Sequence, residues 1–290
     1  MPNFSTLLTK DNITAVAIGH FDGVHRGHKQ LLKQLGEYGG LVVIDKNKAN
    51  ITPGLKRAEY SNYPCFFYDF ESIKGLSGEE FIALLKRDFK NLKKIVVGYD
   101  FRFGRNRAWD KHDLKRLFDG EVVVVDEVCF NCMGVHSSAI RELIKQGDVS
   151  GANRLIGREY SIEGDVISGQ GLGSKELVPT LNLDVKSYLL PKSGVYATRT
   201  RIGYATYGSV TFIGNRVSTD GKFSVETHVL DEIDVSASHV AVCFIKRLRD
   251  NMKFENLNEL KTRIELDIKE ARTMVGVCEL YGSEGPCNER

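Results

Sequence analysis

The residues best suited to chemistry stand in one string, Gly19-His20-Phe21-Asp22-Gly23-Val24-His25-Arg26-Gly27-His28. Gly19 and Gly23 allow the backbone to approach a ligand closely, and a helix opening after them offers unpaired N–H groups to an anion. His25 and His28, three apart, share a helix face. Two imidazoles aimed at one phosphate can donate hydrogen bonds as charge builds up on it. The competing reading is a tight turn followed by two surface histidines. The whole string, placed after an apolar strand, favours the phosphate site.

Other residues invite weaker readings. Ser137 and Ser138 stand just before a helical pattern, as an N-cap does, and Arg141 one turn on could fork onto a phosphate. Arg102, Arg105 and Arg107 alternate with Phe101 and Phe103, a pattern that serves a solvated basic loop or the stacking of bases. With no wider basic surface, a nucleic-acid partner is not expected. Cys129-Phe130-Asn131-Cys132 with His136 suggests zinc, but no second CxxC pair completes four ligands, so incidental thiols and no zinc are expected. The stretch Gly164–Asn182 contains no GxxxxGK[ST], which leaves a P-loop kinase unsupported.

The elements that must position these groups fall into two textures. Thr14–Ile18, Leu41–Ile44, Ile95–Gly98 and Val122–Val125 are short apolar runs separated by helical patterns at about His25–Gly36, Gly78–Lys94 and Lys111–Phe118. Strands alternating with helices predict a parallel α/β sheet buried on both faces. After a helical segment at Ala139–Leu155 come β-branched or alternating segments at Tyr160–Ile167, Val195–Thr200, Tyr207–Phe212, Ser224–Leu230 and Val240–Arg247. These predict an antiparallel sandwich or barrel, closed by one amphipathic helix at Asn256–Met274. The fold class is therefore α/β plus β, with domains at 1–155 and 156–290.

Composition agrees with two soluble domains. The 290 residues are 42% hydrophobic and 27% charged, and no apolar run approaches the ~20 residues that span a bilayer. No basic and apolar leader opens the chain, so a cytoplasmic protein with reduced thiols and no membrane partner is expected. The net charge of +2 is too small to imply a polyanion.

The N-terminal string resembles the GxFDGxHxGH signature of HxGH nucleotidyltransferases. Gly98-Tyr99-Asp100-Phe101-Arg102-Phe103-Gly104, Ser137-Ser138-Ala139-Ile140-Arg141 and Gly157-Arg158-Glu159-Tyr160 are similar to further motifs of bacterial bifunctional riboflavin kinase/FAD synthetases. In the C-terminal half, Pro179-Thr180-Leu181-Asn182 resembles the flavokinase PTxN motif. Pro191–Ala197 resembles its PxxGVYA strand entry, Ile213–Arg216 its IGxRPT segment and Glu226–Asp231 its ExHxxD stretch. The chain departs from that pattern at His20, at Asp45–Asn50 (DKNKAN), at Gly173–Thr180 (GSKELVPT) and at Asp234–Ala237 (DVSA).

The resemblance implies a Rossmann-like nucleotidyltransferase domain followed by a β-barrel flavokinase domain with a C-terminal helix. It implies phosphorylation of riboflavin to FMN and adenylylation of FMN to FAD with release of pyrophosphate, using ATP as co-substrate and Mg²⁺. Gly19, Phe21, Asp22, Gly23, His25, His28, Ser137, Ser138 and Arg141 would then meet the nucleotide of the adenylyl transfer, with His25, His28 and Arg141 catalytic. Phe21, Asp100, Phe101 and Glu226 would meet the flavin. Gly169, Thr180 and Asn182 would hold the kinase nucleotide, Thr180 and Asn182 also the metal, and Glu226 would be the general base. The alternative is a nucleotidyltransferase for another phosphorylated substrate, whose C-terminal domain binds flavin without catalysis.

Overall fold

The computed structural model describes residues 9–168, 178–216, 221–231 and 237–276. Gly169, the 173–177 part of the altered loop, Asp234 to Ser236, Cys278 and Cys287 lie outside them. The chain divides into two compact units, one ending at His136 and the other beginning at Ser137.

In the first unit, β1 (Ala15–Gly19), β2 (Gly39–Asp45), β3 (Cys65–Asp69), β4 (Lys94–Gly98) and β5 (Glu121–Val125) form an all-parallel sheet in the order β3-β2-β1-β4-β5. The crossover helices are α1 (Arg26–Leu32), α2 (Lys56–Ser61), α3 (Gly78–Asp88) and α4 (Lys111–Leu117). Alternation along each strand divides the apolar side chains between two cores. Val16, Ile18, Val42, Ile95 and Val97 pack with Phe81, Leu85 and Leu114, while Ala15, Ala17, Leu41, Val43 and Val96 pack with Leu31 and Leu35. Both faces are covered, which is why β1, β2, β4 and β5 read as continuous apolar runs.

α3 starts where its sequence says it should. Ser77 Oγ accepts from the Glu80 N–H at 3.2 Å, and Glu80 Oε2 accepts from the Ser77 N–H at 2.7 Å, a reciprocal cap worth about 1 kcal/mol. Cys129–Phe130 and Met133–Gly134 pair as a short hairpin, its turn residues Asn131 and Cys132 both left-handed. The CxxC thus spans one strand of the hairpin and its two-residue turn, and His136 Nε2 lies 2.7 Å from Glu127 Oε1.

The second unit opens with α5 (Ser137–Gln146) and α6 (Val149–Ile156). One helix was expected over Ala139–Leu155, starting after the two serines. The structure places Ser137 and Ser138 within the first turn of α5 and breaks the run at Gly147-Asp148. Gly147 takes a left-handed φ of 85°, and Asp148 Oδ1 caps α6 by accepting from the Gly151 N–H at 2.8 Å. Asn153 of α6 is fully buried, donating to the Phe244 carbonyl at 2.8 Å and accepting from the Tyr160 N–H at 2.6 Å.

Six antiparallel strands follow: β6 (Tyr160–Ile167), β7 (Leu181–Asp184), β8 (Gly194–Ile202), β9 (Ala205–Asn215), β10 (Phe223–Val229) and β11 (His239–Arg249). They close as a barrel in the order β6-β7-β10-β9-β8-β11, which resolves the sandwich-or-barrel choice. Five buried hydroxyls form a closed ring within it. Thr200 bonds Ser209, Ser209 bonds Thr198, Thr198 bonds Thr211, Thr211 bonds Thr227, and Thr227 returns to Thr200, all at 2.8–3.1 Å. Each hydroxyl donates once and accepts once, so five buried polar side chains satisfy one another. α7 (Leu257–Val275) docks on the barrel through Asp267, 2% exposed, which accepts from the Arg249 guanidinium at 2.7–3.0 Å and from Arg263 at 3.0 Å.

Candidate active sites

The first site lies at the carboxyl edge of the parallel sheet. β1 pairs with β2 through Gly19↔Val43, and β4 pairs with β5 through Gly98↔Val125. The ladder between β1 and β4 stops at Ala17↔Val96, two residues before either strand ends. The two central strands therefore part at their carboxyl ends, where the chain order reverses and open α/β sheets bind ligands.

The Gly-rich string occupies that edge. Phe21 (φ 54°), Gly23 (φ 91°) and Val24 (φ 38°) are all left-handed, an uncommon state for an aromatic and a β-branched residue. The turn presents His25 as the N-cap of α1. His25 Nδ1 accepts from the His28 N–H at 3.4 Å. The imidazoles of His25 and His28 stack with centroids 3.7 Å apart, and the Phe21 ring lies 5.0 Å from His28. Phe21, His25 and His28 are thus gathered into one cluster. Gly19 and Gly27 flank it closely: a Cβ on Gly19 would sit 3.3 Å from the Phe21 ring, and one on Gly27 3.2 Å from the His25 ring.

Asp22 points elsewhere. It is fully buried, and its carboxylate accepts from the backbone N–H groups of Asn50, Ile51 and Thr52 at 3.2, 3.0 and 2.8 Å. Asp100, just beyond β4, is exposed, while Phe101 is half-buried and stacks on Phe103 at 5.4 Å. Desolvation, together with the carboxylates of Glu127 and Asp100, holds the neighbouring Tyr99 hydroxyl above the usual tyrosine range. Ser137 and Arg141 are half-buried and Ser138 exposed on the first turns of α5, in the second unit.

The second site lies on the barrel. Asn182 of β7 and Glu226 of β10 are direct register partners, so their side chains share a face. Along β10, Ser224, Glu226 and His228 face one way, while the buried Val225 and Thr227 face the other, as the alternation predicts. Thr227 does so as a member of the hydroxyl ring rather than as part of an apolar layer. Two residues quoted in the motifs without a role now acquire one. Arg216 Nη1 lies 3.4 Å from Glu226 Oε1, and His228 Nδ1 donates to the Pro179 carbonyl at 2.8 Å. His228 thereby ties the Pro179-Thr180 entry of β7 to the strand that carries Glu226.

Thr180, Asn182 and Glu226 offer hydroxyl, amide and carboxylate oxygens, the hard donors Mg²⁺ takes alongside phosphate. Among the described residues, no group of three or more His, Cys, Asp or Glu side chains could hold a metal ion. Also among them, no helix is long and apolar enough to cross a membrane.

A parallel α/β unit with a strained, histidine-bearing loop at its switch point, followed by a closed barrel carrying paired Asn and Glu, defines a two-module phosphate-transfer enzyme. Comparison with known proteins gives the family. The riboflavin kinase family model matches residues 156–275 and the FAD synthetase model residues 8–40 and 56–139. The bifunctional riboflavin kinase/FMN adenylyltransferase of Pseudomonas fluorescens is 30% identical, covering 89% of this chain and 91% of that protein. The protein of the same description from Escherichia coli K12 is 29% identical over 90% and 93%. The chain belongs to the bifunctional riboflavin kinase/FMN adenylyltransferase family. A crystal structure described as a macrolide-efflux protein from Streptococcus pneumoniae is also similar, with a TM-score of 0.80 at 27% identity, covering 90% of this chain and 94% of that one.

Proposed function

We propose that this chain makes FAD from riboflavin in two ATP-dependent steps, each on its own module, 156–290 for the kinase and 1–155 for the adenylyltransferase. Helices α5 and α6 are counted with the first module by function, although they pack with the barrel. The observation that carries the reading is the pair of geometries, stacked His25 and His28 in one module and Asn182 facing Glu226 in the other.

In adenylyl transfer, the FMN phosphate attacks the α-phosphorus of ATP, and pyrophosphate leaves. Charge grows on the transferred phosphoryl oxygens, where the His25 and His28 rings donate hydrogen bonds. Ser137, Ser138 and Arg141 are proposed as further phosphate ligands of this reaction, and Gly19 and Gly23 keep the approach to the nucleotide open. Phe21 and Phe101 offer aromatic surface to the flavin, and Asp100 a polar edge. Asp22 serves the site by holding its loop rather than by touching nucleotide.

In the kinase reaction, the riboflavin 5′-hydroxyl loses its proton to Glu226 as it attacks the γ-phosphorus of ATP, whose bond to the bridging oxygen breaks to release ADP. Arg216 orients that carboxylate, and His228 fixes the entry to Thr180 and Asn182. Those two residues would hold Mg²⁺, which supplies charge neutralisation at the phosphates when bound. Gly169 is proposed as a nucleotide contact on its place in the sequence. ATP as co-substrate points to the cytoplasm as the place of action.

Incubating the purified chain with riboflavin, ATP and Mg²⁺ and separating the flavins by chromatography tests the reading. FMN followed by FAD is the expected result. Turnover of ATP only with a different acceptor would favour the alternative nucleotidyltransferase.

A further inference from the structure

The strained Phe21–Val24 turn is held from one side by one segment of the chain. Arg57, 1% exposed, donates from Nη1 to the His20 carbonyl at 3.3 Å, from Nη2 to Asp45 Oδ2 at 3.1 Å and from Nε to the Gly54 carbonyl at 3.3 Å. Its guanidinium also lies 4.9 Å from the centre of the Phe67 ring. Asp22 sends its carboxylate onto the N–H groups of residues 50–52. Thr52 Oγ1 accepts from the Gly23 N–H at 2.7 Å. Residues 20, 22 and 23 are therefore each tied to the 50–57 segment, through contacts that are largely buried. The FAD synthetase family model passes over residues 41–55, where this chain carries DKNKAN and the three amides that grip Asp22.

Left-handed non-glycine residues persist only where their surroundings over-determine them. Here the surroundings are these bonds. We infer that Arg57 and Thr52 are positioning residues for adenylyl transfer: they act through His20 and Gly23 to hold the turn that delivers His25 and His28 to the phosphate. The inference rests on the adenylyltransferase reading of the histidine cluster. A buried arginine joined to a catalytic loop by a backbone carbonyl has no reason to alter ground-state affinity strongly. It sets where the donors stand when charge develops, and a displacement of about 1 Å there costs on the order of 10²-fold in rate.

The test is steady-state FAD synthesis from supplied FMN and ATP by Arg57→Ala, Arg57→Lys and Thr52→Val, with His28→Ala alongside, circular dichroism melting of each protein as the measure of folding and riboflavin phosphorylation as the control for the second module. Arg57→Ala and Thr52→Val should lower kcat by about 10–10²-fold with KM for FMN and ATP nearly unchanged, while riboflavin phosphorylation persists. Arg57→Lys, which can still donate to the His20 carbonyl, should recover part of the loss. Wild-type kcat in both Arg57→Ala and Thr52→Val, while His28→Ala is inactive, overturns the inference. Full activity of His28→Ala overturns the underlying reading instead. If Arg57→Ala loses both activities, Thr52→Val decides by the same two outcomes.

Discussion

Asn182 and Glu226 stand opposite each other on neighbouring antiparallel strands of the barrel. That register fixes an amide oxygen and a carboxylate on one face, with Arg216 Nη1 3.4 Å from Glu226 Oε1. Replacing Glu226 by Gln keeps size and hydrogen bonding and removes basicity. Riboflavin phosphorylation should fall by roughly 10²–10⁴-fold in kcat, and FAD formation from supplied FMN should survive. Wild-type phosphorylation by the variant would make Glu226 a strand residue without a catalytic role.

Gly27 lies against the ring of His25: an added Cβ would sit 3.2 Å from the imidazole and 3.3 Å from the Val135 carbonyl, closer than ordinary van der Waals contact. Gly27→Ala should push the His25 imidazole aside by a few tenths of an ångström. FAD synthesis should drop at least about 10-fold, since a misplaced donor loses most of its effect on the transition state. Kinetics of the purified variant, with its melting temperature as a control, show whether the loss is local.

The barrel helix α7 depends on Asp267, which is buried and shared by Arg249 and Arg263. Asp267→Ala leaves Arg249, itself mostly buried, without its carboxylate. Removing one partner of a buried pair typically costs about 3–5 kcal/mol. Thermal denaturation followed by circular dichroism should show a clear fall in the stability of the barrel, and a wild-type melting curve would contradict the account.

Thiol reactivity should follow burial. Burial pushes Cys65 and Cys243 up to about 11, whereas Cys132 is exposed on its hairpin turn. A thiol must ionise to react, so at pH 8 Cys132 should be labelled by a disulfide reagent well before Cys65 or Cys243. The raised values also set a sign. The neutral thiols contribute stability that is fully present below the unfolded thiol range, near 8.5, and is lost as pH rises from there towards about 11. Mass spectrometry of time-resolved labelling orders the sites. Cys129→Ser with Cys132→Ser should leave both activities near wild type.

Much of this architecture is legible in the sequence because period and burial coincide. The strands at Ala15–Gly19, Lys94–Gly98 and Glu121–Val125 are apolar on both faces, and β10 alternates cleanly, so the side on which Glu226 falls follows from spacing alone. β3, Cys65-Phe66-Phe67-Tyr68-Asp69, is an edge strand whose three consecutive aromatics, from buried Tyr68 to exposed Phe67, show neither a continuous apolar run of β-branched residues nor alternation, so the sequence does not mark it. Leu181–Asp184 was too short to separate from its motif. At the sites, the histidine string stands out by residue type, whereas the PTLN and ETHVLD segments are legible only through their resemblance to flavokinase motifs. The clamps did not. Nothing in the local pattern says that the carboxylate of Asp22 turns inward to three amides about thirty residues away, or that Arg57, on a short polar helix, is buried. Long-range hydrogen bonds leave no periodic trace. Arg216 and His228 lay within recognised motifs, but their roles needed the register of β7, β9 and β10.

The central claim is that two phosphate-transfer reactions occupy separate sites on one chain. The most direct measurement is flavin chromatography of riboflavin, ATP and Mg²⁺ reactions run with wild type, His28→Ala and Glu226→Gln. The account predicts that wild type forms FMN and then FAD. His28→Ala should stop at FMN, and Glu226→Gln should form FAD only when FMN is supplied. Loss of both products in a folded His28→Ala protein, or FAD formation undiminished in it, would contradict the account.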